Sequence, residues 1–298
     1  MSNEKNKISR KQFLAASAGA ITGGLLGFKL PKLIAGEAPR VVLGKTGIKV
    51  SPICYGVTRV QEPALVKAGI DRGINFFDTG RSYGNGLNEV MLGKALKGIR
   101  KQHVIQSKMQ INIKDEDLDQ AGIDDKIRHI MKRSLDETLR ALGSDYVDIM
   151  LIHNAQSERL LFHETVLEFL NKAKSSGSIR AIGFSTHNDH MDFLGMLAEN
   201  PVFDTIMVPY NHQGAFTHSV AGYHASWDQG KLETLLGKLH NQGVGTVAMK
   251  TCSGGTTSLS DGEPSYRDAI QWVIKQPFID AAAVAMTSFE QIEANIPQ

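Results

Sequence analysis

Cysteine is scarce. Two residues, Cys54 and Cys252, stand in a chain of 298, too few for the disulfide framework that staples small secreted domains. They fall in different segments and read as free thiols. A long apolar run is also missing. The longest weakly apolar stretch, Phe13 to Phe28, covers 16 residues rich in Ala and Gly, short of the roughly 20 that span a bilayer. An integral membrane span is therefore not expected. An excess of positive charge is missing from the body. Residues 1–38 hold six basic and two acidic residues, and the rest holds 27 basic against 29 acidic. A nucleic-acid partner would need a clustered basic surface, and the body supplies no charge excess to build one. Low-complexity linkers and repeats of 20–50 residues are absent too. What remains is an ordinary globular composition, 42% hydrophobic and 21% charged, in a length that suits one large domain or two small ones.

Residues 1–38 read as an address and residues 39–298 as the folded body. Ser9-Arg10-Lys11-Gln12-Phe13-Leu14 precedes the mild apolar stretch, the order of a positive n-region and an apolar core in a signal peptide. The basic pair resembles a twin-arginine export signal, with Lys11 in place of its second arginine. Gly36-Glu37-Ala38 loosely meets a small-x-small cleavage site. A periplasmic or cell-envelope location is expected if the leader works, and a cytoplasmic one if it does not.

Within the body, Val41 to Val50 reads as a β-hairpin with Lys45-Thr46-Gly47 as its turn. Eight short apolar runs follow: Pro52–Gly56, Asn75–Phe77, His103–Ser107, Val147–Ile152, Ala181–Phe184, Thr205–Val208, Val244–Met249 and Ala281–Ala285. Most are continuous rather than alternating, as strands buried on both faces should be. Between them, Ile127, Ile130, Met131, Leu135, Leu139 and Leu142 share one helical face, stopped by Gly143, and Phe162, Val166, Phe169 and Leu170 form a second stripe. Eight strand–helix units fit an α/β fold of the (β/α)8 TIM-barrel type with an N-terminal hairpin. A doubly wound dinucleotide fold is the alternative, but Tyr55-Gly56-Val57-Thr58-Arg59-Val60 lacks the G-x-G-x-x-G turn, and Gly84-Asn85-Gly86 is followed by Glu89 where the third glycine should be.

In such a barrel, chemistry gathers where strands end. There the chain offers Asp78, Tyr83, Lys108 and His153. A phenol of pKa about 10 is a poor donor near neutrality; an adjacent ammonium favours its phenolate, a carboxylate keeps that ammonium charged, and an imidazole can steer a carbonyl. The set suits general acid catalysis on a developing alkoxide. It contains no obvious nucleophile and no metal cage.

The stretches Gly73-Ile74-Asn75-Phe76-Phe77-Asp78-Thr79, Tyr83-Gly84, Glu89-Val90-Met91-Leu92-Gly93-Lys94-Ala95-Leu96, Ser134-Leu135, Leu142 to Asp148, Leu151-Ile152-His153 and Gly177 to Ser185 together resemble the aldo-keto reductases, over nearly the whole body. The resemblance implies a (β/α)8 barrel and an oxidoreductase that passes a hydride between a nicotinamide cofactor and an aldehyde or ketone, its small-molecule partner. It implies that Tyr83 is the proton donor, Lys108 its pKa-lowering partner, Asp78 the partner of Lys108, and His153 the residue that orients the carbonyl. A non-catalytic nucleotide-binding sensor or partner-binding subunit on the same fold is the rival reading.

For the cofactor, the resemblance implies NADP, with NAD as the alternative because no Lys or Arg follows Lys275 to grip a 2′-phosphate. Ser185 matches the serine that holds the carboxamide, while Thr186 and Met207 replace the usual asparagine and glutamine. Met249 could pack on an aromatic ring, and Lys250 with Ser253 and Gly254 could cradle the pyrophosphate. Thr287, Ser288, Phe289, Gln291 and Asn295 resemble the adenosine end. His187 and His190 read as a loop and a helix start rather than metal ligands. The segment carrying His212, Phe216, His218, Tyr223, His224 and Trp227 reads as a solvated loop, with a functional lid as the alternative.

Overall fold

The computed structural model describes residues 39–187, 190–218, 221–252 and 265–296. The leader assigned to residues 1–38, and the pyrophosphate candidates Ser253 and Gly254, lie outside the described residues.

The hairpin expected at the start is present: β1 (Val41–Val42) pairs antiparallel with β2 (Lys49–Val50). Eight parallel strands then close a barrel: β3 (Ile53–Gly56), β4 (Phe76–Asp78), β5 (Val104–Met109), β6 (Val147–Ile152), β7 (Ile179–Ser185), β8 (Thr205–Pro209), β11 (Gly245–Met249) and β12 (Ala281–Ala285), with β12 pairing back onto β3. Helices follow the strands: α1 (Pro63–Asp71), α2 (Leu87–Ala95), α3 (Ile123–Leu142), α4 (Glu158–Leu161), α5 (Glu164–Ser175), α6 (His190–Glu199), α7 (Gln229–Gln242), α8 (Tyr266–Ile274) and α9 (Phe289–Asn295). Between β8 and α7 a second hairpin, β9 (Ala215–Thr217) with β10 (His224–Ser226), stands apart from the barrel sheet.

The continuous apolar strands bury both faces. One face feeds the barrel interior, where Cys54, Phe76, Val104, Ile149, Leu151, Ala181, Met207, Val247, Met249 and Ala281 pack together. The other feeds the larger layer under the helices. Leu43, Ile48 and Val50 of the first hairpin join the interior cluster and plug the barrel at the end where the strands begin. Gly44 makes that plug fit. A Cβ there would lie 2.4 Å from the Gly243 carbonyl oxygen and 2.4 Å from the Gly245 nitrogen, and its φ of +50° suits glycine.

The long stripe on α3 is as expected. Ile127, Met131, Leu135 and Leu142 are buried, Ile130 and Leu139 pack against the core, and Gly143 closes the helix in the left-handed region. The second stripe needs a correction at its start. Phe162 caps the one-turn α4, and α5 begins only at Glu164, because His163 turns the chain and accepts a hydrogen bond from the Thr165 N–H. Val166 and Leu170 still face the core.

Candidate active site

Strand alternation aims the site. Phe76 and Val104 point into the barrel. A period of two then sends Asp78, Gln106 and Lys108 the same way, at the end where the strands finish. Asp78 and Gln106 are register partners across β4 and β5. Ser107 points outward, to the helix layer, where its hydroxyl meets Glu89.

Lys108 is 2% exposed and fully committed. Its Nζ lies 2.6 and 2.7 Å from the two Asp78 oxygens, 2.8 Å from the Thr79 carbonyl and 3.1 Å from the Tyr83 hydroxyl. Gln106 Nε2 donates to Asp78 Oδ1 at 2.7 Å and lies 3.4 Å from Met207 Sδ. The Tyr83 and His153 rings meet edge to face, 5.6 Å between centroids, and Ser82 Oγ lies 3.2 Å from His153 Nδ1. Asp78, Tyr83, Lys108 and His153 are thus one contiguous cluster at a single rim, drawn from β4, the loop behind it, β5 and the end of β6.

Burial opposes the lysine charge, but Asp78 and then Tyr83 overcome it and hold the ammonium above its ordinary range. Tyr83 titrates above its ordinary 10.0: burial dominates, Lys108 pulls the other way, and Asp78 adds to the rise. The lysine therefore moderates the rise without reversing it, and the phenol stays protonated through neutrality. Burial first, then Lys108 and His187, push His153 down to about 3, so its imidazole is neutral.

The residues expected to meet a cofactor continue the belt around the same rim. Ser185 and Met207 are register partners on β7 and β8, β11 follows β8 in the barrel, and β12 follows β11. Ser185 Oγ accepts from the Asn154 N–H at 3.0 Å, which leaves its own O–H to donate. Met207 and Met249 are buried in the barrel interior. Lys250 holds its ammonium 5.3 Å from the Phe216 ring centre, and burial, then Arg59, lower its pKa. Thr287, Ser288 and Gln291 are tied into the start of α9: Ser288 caps it and accepts from the Gln291 N–H, and Gln291 Oε1 accepts from the Thr287 N–H at 2.7 Å. Phe289 is half exposed and Asn295 ends the helix.

Among the described residues, three non-glycine residues have positive φ: Asn85, Asn154 and Lys250. All three lie in loops that leave barrel strands at this rim. Such strained backbone collects at functional sites.

Within the segment expected to be a solvated loop, Ala215–Thr217 and His224–Ser226 pair as strands. Phe216 is 1% exposed and packs on Tyr223 and Trp227, so aromatic burial, not solvation, shapes the β9–β10 hairpin.

With this geometry in place, comparison with known proteins is decisive. The sequence pattern of the Aldo/keto reductase family matches residues 52–268. The chain belongs to the aldo/keto reductase family. It is 27% identical over 296 residues to L-galactose dehydrogenase of Arabidopsis thaliana, covering 85% of this chain and 86% of that one. It is 34% identical over 158 residues to 6-dehydroglucose reductase of Novosphingobium aromaticivorans, covering 48% and 50%. Among solved structures, the aldo-keto reductase from Klebsiella pneumoniae in complex with NADPH superposes with a TM-score of 0.62 at 26% identity, covering 86% of this chain and 88% of that one.

In this aldo/keto reductase the loop that presents Tyr83 is strapped down by residues that sequence reasoning does not single out. Glu89 on α2 is fully buried and accepts from Ser107 Oγ at 2.7 Å and Thr138 Oγ1 at 2.9 Å. Its second oxygen pairs with Arg81 Nη1 at 2.8 Å. The Arg81 N–H donates to the Lys108 carbonyl at 3.0 Å. The guanidinium runs over Gly86, where a Cβ would sit 0.9 Å from Nη2 and φ is +86°. Gly86→Ala should therefore break the strap: a loss of about 1–3 kcal/mol in stability from backbone strain alone, with turnover falling further than the denaturation midpoint explains. Unchanged turnover in a folded Gly86→Ala protein would show that the strap does not position Tyr83. The only sequence trace of it is Glu89 inside the matching motif.

Proposed function

We propose that the chain is an NADP(H)-dependent reductase of aldehydes or ketones, or an alcohol dehydrogenase in reverse, with Tyr83 as proton donor. The observation that carries this reading is the buried Lys108, held between the Asp78 carboxylate and the Tyr83 hydroxyl. The family membership supports the chemistry, and the NADPH complex of the Klebsiella pneumoniae relative supports the cofactor.

The residues fit a nicotinamide dinucleotide. Ser185 has a free O–H for a carboxamide. Lys250, with Arg59 near enough to lower its pKa, offers positive charge to a pyrophosphate. When bound, the nicotinamide supplies the hydride. The chain does the rest. Tyr83 stays protonated and donates its O–H to the substrate oxygen as negative charge develops there. Lys108 stabilises the phenolate left behind, and Asp78 keeps Lys108 charged and aimed. In the tautomer in which Ser82 Oγ, 3.2 Å away, donates to His153 Nδ1, the imidazole proton sits on Nε2, where it can hydrogen-bond the carbonyl and orient it. Because the donor form of Tyr83 persists to above 10, the rate of reduction should stay level across neutrality and fall only in alkali.

The test is turnover of an aldehyde panel with NADPH and with NADH, beside Tyr83→Phe. The variant should lose about 10²–10⁴-fold in kcat and bind cofactor as before. Retained turnover would overturn the assignment. A protein that binds dinucleotide and turns over nothing would be the nucleotide-binding subunit instead.

A further inference from the structure

His187 has no task in the proposed proton transfer, yet it stands two residues beyond Ser185 at the same rim. Its ring lies 5.8 Å from His218, edge-on, and 6.2 Å from Phe216. Its Nδ1 is buried and has no hydrogen-bond partner among the described residues. A buried polar atom left unpaired in a site calls for an explanation, and a ligand atom is a common one. Burial, then Lys250, His218 and Lys108, push His187 down to about 3, and His187 in turn helps depress His153. Two neutral imidazoles therefore stand within electrostatic reach of each other and of Lys108. Facing His187, Phe216 packs against Tyr223 at 5.8 Å, and Tyr223 stacks on His218 at 5.2 Å.

We infer that His187 and the Phe216–Tyr223–His218 rings form a subsite for a hydroxyl-bearing portion of the substrate, so that the site selects polyhydroxylated, sugar-like carbonyl compounds over apolar ones. A neutral imidazole presents one donor and one acceptor, the complement of a hydroxyl. A carboxylate could use only the donor, and an alkyl chain would leave the buried nitrogen unpaired, which is where discrimination against the analogue lacking the hydroxyl comes from. The half-buried rings of Tyr223 and His218, with the buried Phe216 behind them, supply the apolar wall for the C–H face of such a substrate. The inference rests on the reductase reading, since it names the substrate class of that site.

The test pairs turnover with binding. Glyceraldehyde and propanal differ only in two hydroxyl groups, and galactose, added without reduced cofactor, reports binding without turnover through tryptophan fluorescence, Trp227 lying 6.4 Å from Phe216. The protein should prefer glyceraldehyde by about tenfold or more in kcat/KM. His187→Phe, which keeps a ring and removes the polar atoms, should lose about tenfold on glyceraldehyde, spare propanal and weaken galactose by a similar factor. His187→Gln, with donor and acceptor restored, should recover most of the loss. Equal losses on both aldehydes, galactose affinity unchanged by His187→Phe, or no galactose binding at all would overturn the subsite. Galactose binding that depends on His187, in a protein that reduces neither aldehyde, would support the subsite and defeat the reductase reading.

Discussion

Replacing Lys108 by methionine should cost about 3–5 kcal/mol of stability and about a hundredfold or more of turnover. Both losses follow from one contact set. Asp78 is 4% exposed, and both its oxygens take hydrogen bonds from Lys108. Without the ammonium a carboxylate is left buried with Gln106 as its remaining donor, and an uncompensated buried charge is among the largest single-residue penalties. Turnover falls because the phenolate of Tyr83 loses the cation 3.1 Å away. Combining Lys108→Met with Asp78→Asn separates the effects. The pair is then neutral on both sides, so most of the stability should return while turnover stays low. Urea denaturation of the two variants beside kcat measurements makes the check. A Lys108→Met protein as stable as the parent would mean that water reaches Asp78 and that the site is wetter than its packing indicates.

Much of this architecture was legible because a parallel barrel buries both faces of each strand. All eight apolar runs correspond to barrel strands, from Ile53–Gly56 to Ala281–Ala285. Their ends were less certain. The apolar run His103–Ser107 stops short of β5, which carries Lys108 and ends at Met109, because a lysine whose charge is matched by Asp78 can stay inside the sheet. The four rim residues were legible by type and position, since each follows an apolar run. Contacts made through the third dimension left no such mark. Arg81 and Glu89 carry ordinary surface charges in sequence, and only the fold shows that α2 turns Glu89 toward Ser107 and Thr138. His187 and Phe216 are 29 residues apart, and no periodicity links them. The β9–β10 hairpin escaped notice because its strands are three residues each, too short for alternation to register.

Acid should weaken the fold before the carboxylates are exhausted. His153 and His187 are pushed down to about 3 and His212 to about 4, from an ordinary 6.5, with burial the first cause in each. In the unfolded chain these imidazoles take protons as the pH falls through 6.5; in the folded chain they refuse them. The unfolded state therefore binds more protons, and stability present above 6.5 is lost progressively toward 3. Glu89 and Asp280 act in the opposite sense, since burial raises both: folded, they take protons above the range where unfolded carboxylates do, and this offsets part of the loss. Between pH ~6.5 and ~5 each of these histidines contributes a loss of up to about 2 kcal/mol. Urea midpoints across pH ~7.5 to ~5 should fall steadily. His153→Gln and His187→Gln should each flatten the curve by that residue's share, because glutamine keeps a donor and an acceptor and does not titrate. His153→Gln and His187→Gln curves that match the parent's across that range would show that the rim opens to water and lets its imidazoles charge. The neutral pair proposed to orient the carbonyl and to recognise a hydroxyl would then not exist under working conditions.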